Sequence, residues 1–85
     1  MNKFYLTTVI DFNGEQVLTC LFETKEKAVD CAIADYEEEY TNVRSMGEKI
    51  ENEQEKLKEE LEEYGVCFVE ELGSTYYVKE VFLNK

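Results

Sequence analysis

Residues 48–64, EKIENEQEKLKEELEEY, constrain the fold more than any other stretch. They are rich in strong helix formers and contain no Pro or Gly. Wound at about 3.6 residues per turn, they put Ile50, Leu57, Leu61 and Tyr64 on one face. A stripe that narrow, on a helix this charged, needs another element to bury it. The opposite face carries Glu48, Glu51, Glu55, Glu59 and Glu62 at spacings of 3, 4, 4 and 3, with Glu63 beside them. Lys49 and Lys56 flank that line on one side and Lys58 on the other. Like charges at i,i+4 destabilise a helix by about 0.2–0.5 kcal/mol per pair. A helix shaped for stability alone would mix the signs. The stripe is therefore the first candidate for a binding role, against the plainer reading of a solvated face.

The rest of the chain supplies the elements for that helix to cover. Residues 3–12 alternate, with Phe4, Leu6, Ile10 and Phe12 on one side and Lys3, Tyr5, Thr7, Val9 and Asp11 on the other. β-branched content makes this a strand. Asn13-Gly14 marks a hairpin turn, and a second strand runs over 15–22. A two-residue turn pairs Ile10 with Val17 and leaves both faces half apolar. A three-residue turn with Gly14 left-handed pairs Phe4 with Phe22, Leu6 with Cys20 and Thr8 with Leu18, and separates the faces better. Thr24 suits the N-cap of a helix over 25–41, with Ala28, Val29, Ala32, Ile33, Tyr36 and Tyr40 as its apolar face. Ser45 and Glu48 form a capping box for the second helix, 46–64, and Gly65 suits its C′ position. Strands follow at 66–70 and 75–83, around a turn at 71–74.

This order predicts an α+β domain, ββααββ: a four-stranded antiparallel sheet with a helical hairpin on one face. With the other face bare, Tyr5, Val9 and Tyr77 would form a second contact surface. A rival pattern exists. Val29, Ile33, Tyr36, Tyr40, Val43, Gly47, Ile50, Gln54, Leu57, Leu61 and Tyr64 keep an unbroken 4-3 spacing. That spacing suits one helix of about 60 Å in a self-associating coiled coil, a structural or adaptor protein. Gly47 and Gln54 are poor seam residues, which favours the break.

Eighty-five residues make one domain, 1–85. Nine basic against 20 acidic residues give a net charge of −11. That opposes direct contact with nucleic acid or anionic membrane and favours basic partners. Cys20, Cys31 and Cys67 are an odd set without close spacing, read as buried thiols in a reducing compartment. The N-terminus has no long apolar run, so a cytoplasmic location is expected.

Chemistry is sparse. With no His, the commonest general base is missing and a zinc site is unsupported. Asp11–Glu15 resembles a calcium loop only faintly, because Gly14 is fourth rather than sixth and Phe22 stands where the bidentate Glu belongs. Cys31 is a weak nucleophile candidate, since neighbouring acids raise its pKa. The expectation is therefore no enzyme, no cofactor and no metal. Residues 24–63 carry 14 acids and 6 bases, a net −8, so the helical layer is the electronegative face. Glu26, Asp30 and Glu37 of the first helix are positioned to thicken the field of the second.

Small size, acidic helices and a short sheet together resemble the inhibitors made by phages and mobile elements, the anti-CRISPR proteins and anti-restriction DNA mimics. The resemblance is one of overall character, carried by the Glu48–Glu63 stripe. It implies binding to the Lys/Arg-rich DNA or RNA channel of a nuclease and blocking of access to it. A monomer or homodimer is expected.

Overall fold

A computed structural model of the chain describes residues 2–43, 50–70 and 72–83, with side chains over 3–39, 54–70 and 72–83. In chain order the elements are β1 (Asn2–Ile10), β2 (Gln16–Phe22), α1 (Lys25–Val43), α2 (Ile50–Glu63), β3 (Val66–Val69) and β4 (Ser74–Leu83). The strands form one antiparallel sheet in the order β2-β1-β4-β3. The two hairpins thus meet through β1 and β4 at the centre, and the chain is α+β as its patterning predicts.

The first hairpin closes on the three-residue turn. The Gly14 N–H donates to the Asp11 carbonyl at 2.9 Å, and the Asp11 N–H donates to the Glu15 carbonyl at 2.9 Å. Gly14 has φ 82°, the left-handed conformation this turn requires. Asp11 Oδ1 accepts from the N–H groups of Asn13 and Glu15 at 2.9 and 3.0 Å, so this carboxylate serves the turn.

Beyond the turn the register departs from expectation. Ile10 pairs with Gln16, but Val9 pairs with Leu18, leaving Val17 as a bulge. The strands continue as Thr7 with Cys20 and Tyr5 with Phe22, in place of Leu6 with Cys20 and Phe4 with Phe22. Tyr5, Thr7 and Val9 therefore face the helices. Val9 is buried and Tyr5 packs against the core, which removes both from the expected second contact surface. Phe4, Leu6 and Ile10 take the open side. Side-chain size explains the choice: small Thr7 and Val9 let Ala28, Val29 and Ala32 of α1 approach the sheet closely. The buried Thr7 hydroxyl donates to the Ala28 carbonyl at 2.8 Å.

Both helices contribute to one core, in which Ala28, Val29, Ala32, Tyr36, Leu57 and Leu61 meet Val9, Cys67, Val69, Tyr76 and Val78. In one continuous helix Tyr36 and Leu57 would stand about 31 Å apart at 1.5 Å per residue, so the long helix is excluded. Thr24 caps α1 as expected, its Oγ1 accepting from the Lys27 N–H at 3.2 Å. The expected Ser45–Glu48 capping box lies outside the described residues. Gly65, φ 77°, ends α2, with its N–H shared between the Glu60 and Leu61 carbonyls at 3.2 and 3.1 Å. Its own carbonyl accepts from the Val78 N–H at 2.9 Å, so the helix cap also begins β3 against β4.

Tyr36 and Tyr76 are fully buried and meet edge to face, their rings 6.5 Å apart. Tyr64, read as part of the apolar stripe, is 69% exposed, because the reversal at Gly65 takes it off the helix face.

Candidate interaction surfaces

The helices present their acids outwards. Glu26, Asp30 and Glu37 of α1 and Glu55, Glu59, Glu62 and Glu63 of α2 are exposed. Glu51 belongs to α2 but its side chain is outside the described set, and Glu48 lies outside the described residues altogether. Two residues absent from the expected list, Glu38 and Glu39, are also exposed on α1. Lys25, Lys27, Lys56 and Lys58 are exposed among these acids. Even so, among the described residues none of the helix carboxylates stands in a salt bridge. The one such pair, Lys3 with Glu80 at 3.4 Å, joins β1 to β4. Lys25 instead donates from Nζ to the Glu62 backbone carbonyl, tying the start of α1 to the end of α2. Between the helices Ile33, Gln54, Glu55 and Lys58 line a notch of about 280 Å³ with one apolar wall.

Two inner acids have structural uses instead. Asp35 Oδ2 accepts from the Tyr76 hydroxyl at 3.2 Å. Burial raises the Asp35 carboxyl above its usual range, Tyr76 lowers it, and nearby Glu38 raises it again. Burial first, and then the Asp35 charge, push the Tyr76 phenol upward, so it stays protonated and donates. Glu60, partly buried, accepts from the Cys67 thiol at 3.0 Å.

The cysteines are less uniform than the sequence suggests. Cys67 is buried, but Cys20 and Cys31 are half-buried. The Cys31 thiol is pushed up to about 11, by burial first, then by Cys20 beside it and by Asp35. The direction matches expectation, but desolvation rather than surrounding acids is its main cause. Among the described residues no cluster of His, Cys, Asp and Glu is arranged to hold a metal ion. Nor is any described helix long and apolar enough to cross a membrane.

The second surface is the open face of the sheet. Phe4, Leu6, Thr8 and Ile10 of β1 point there, half-buried by their neighbours. Leu21, Val66, Phe68, Tyr77 and Leu83 share that side and are 38–59% exposed. Next to the reversal at Gly65 this face dips into an open groove of about 500 Å³, lined in part by Leu6, Thr8, Tyr64, Val66, Tyr77 and Lys79. Tyr77 is the one residue of the expected second contact surface that lies here. The signal that identifies the rest is the run of apolar residues on both parities in β1, β3 and β4, the pattern of strands covered on both faces.

Comparison with protein-family models, with curated proteins and with solved structures found no match to this chain.

Proposed function

We propose that this chain is a non-catalytic acidic binding protein, an inhibitor of the anti-CRISPR or anti-restriction kind. It blocks a basic nucleic-acid-binding surface of a nuclease or another nucleic-acid-handling protein. In this reading α1 and α2 are the arms of a helical hairpin whose outer surface is the contact. The observation that carries it is the set of outward helix carboxylates, Glu26, Asp30, Glu37, Glu55, Glu59, Glu62 and Glu63, none of which is spent on a salt bridge among the described residues. Acids neutralised by the chain's own lysines would offer a partner little. Unpaired ones steer and hold Lys and Arg side chains.

The alternative, self-association through the heptad seam, loses its surface in this fold. Val29, Tyr36, Leu57 and Leu61 are buried within one chain.

The test is affinity capture from the native host or its prey cell, run in parallel with wild type and a Glu55→Gln, Glu59→Gln, Glu62→Gln variant. Glutamine keeps length and helix propensity while removing charge. The expected result is one specific nucleic-acid-handling protein, held by wild type and lost or weakened with the variant. Equal capture by both proteins would remove the acidic layer from consideration.

A further inference from the structure

We propose that the open face of the sheet is a dimer interface, on which a second copy of this chain packs sheet against sheet. The inference does not rest on the acidic-layer reading, because it uses the opposite side of the molecule.

Pattern supplies the first argument. A sheet with one wet face alternates apolar and polar residues, whereas strands covered on both faces read as apolar runs. β1 holds Phe4-Tyr5-Leu6 and Val9-Ile10, β3 is Val66-Cys67-Phe68-Val69, and β4 ends Val81-Phe82-Leu83. The helices cover Tyr5, Val9, Cys67 and Val69 among these, leave Phe82 of the same parity 56% exposed, and do not reach the other parity. Phe68, 59% exposed, and Leu21, 46% exposed, sit at opposite edges of the uncovered face, with Phe4, Leu6 and Tyr77 between them.

Charge selects the occupant. Among the described strand residues that point to this face, none is acidic and Lys79 is the only charged one. In a chain of net charge −11, this is the side on which two copies meet without opposing their carboxylates. A basic partner would be drawn to the helices instead. Lys79 lines the groove beside Glu80, and its stem can lie on the apolar surface with the ammonium in water.

Area permits the contact. Four strands about 4.8 Å apart, rising about 3.3 Å per residue, give a face of roughly 500 Å² per copy, or about 1,000 Å² in a pair. That is the lower bound for a specific interface, so the dimer should dissociate on dilution. Two sheets packed about 10 Å apart would make a four-layer particle with an acidic helical layer on each outer side.

The free edge of β4 offers a different mode of pairing, which the experiment separates. β3 pairs with β4 only up to Tyr77, and beyond it the Val78 N–H reaches Gly65. By antiparallel alternation the backbone groups of Glu80 and Phe82 then face outward.

The test is light scattering on the full chain over a dilution series from millimolar to micromolar. The variants are Phe68→Glu, Thr19→Glu and Glu80→Pro. Thr19 is exposed on the open face and lies outside the core cluster, so its substitution tests the interface even if Phe68→Glu unfolds. The expected result is a wild type that moves from twice the 10.0 kDa chain mass towards it on dilution. Thr19→Glu should weaken association at least tenfold, with an unchanged circular dichroism spectrum. A wild type monomeric at millimolar concentration would overturn the proposal. So would a dimer that survives Thr19→Glu, or one lost only with Glu80→Pro.

Discussion

Gly65→Ala, compared with Gly14→Ala, tests how the helical layer is joined to the sheet. Both glycines are left-handed, with φ 77° and 82°, so alanine at either position costs about 1–2 kcal/mol of backbone strain. Their surroundings differ. A Cβ at Gly14 meets nothing within 4 Å, whereas one at Gly65 would lie 2.9 Å from the Val78 carbonyl oxygen. That oxygen is held in β4 and cannot swing away like a side-chain tip. Relief would require moving the strand or the helix cap. The Val78 N–H bond to the Gly65 carbonyl, 2.9 Å long, would then stretch, at a cost of about 1 kcal/mol. The bifurcated cap on Glu60 and Leu61 weakens with it. Gly65→Ala should therefore lose about 2 kcal/mol more than Gly14→Ala. For a domain of this size 1 kcal/mol shifts Tm by about 4–8 °C, so the two melting temperatures should differ by about 8–16 °C. Urea unfolding followed by circular dichroism measures the gap. Equal losses in the two variants would refute the claim that this reversal locks α2 to β4.

Thr7→Val removes the hydroxyl that links β1 to α1 and should cost about 1 kcal/mol in urea unfolding, whereas a loss under a few tenths would show the bond to Ala28 to be incidental. Asp35→Asn keeps an acceptor for Tyr76 while removing a charge that burial disfavours. Because the folded carboxyl sits above its ordinary 3.8, its charge costs stability at neutral pH, and that cost fades as pH falls through the raised value towards 3.8. The variant should therefore gain on wild type at pH 7 and lose the advantage in acid; a variant less stable at pH 7 would contradict this. Cys31, pushed up to about 11, and buried Cys67 should alkylate slowly at neutral pH until urea unfolds the chain, and fast native labelling of either would contradict its environment.

Local chemistry made much of this fold legible. Asn13-Gly14, Thr24 and Gly65 each have one favoured backbone role, and each performs it. The facing of β1 was not legible for a physical reason. Both its parities are apolar, so the pattern alone does not choose, and the extra residue at Val17 reverses the pairing on which the choice rests. What decides is the fit of Thr7 and Val9 under the alanines of α1, a tertiary fact. The full burial of Tyr76 was not legible either, because a phenol usually keeps its hydroxyl wet. Here the Tyr76 hydroxyl finds Asp35, a residue one helical step from Tyr36 that no spacing rule singled out. The acidic helix face follows directly from the sequence period, whereas the lack of acids among the described strand residues of the open sheet face emerges only once the register is known.

Occlusion of a basic nucleic-acid surface, the function proposed for this chain, is measured by competition. The captured partner would be bound to a fluorescent DNA or RNA and titrated with the chain, at low and at physiological salt. Wild type should displace the nucleic acid. Its potency should fall with salt, as screening shortens to about 8 Å, and fall again with Glu55→Gln, Glu59→Gln and Glu62→Gln. A ternary complex in which partner, nucleic acid and this chain coexist, with affinity indifferent to salt and to those glutamates, would contradict it.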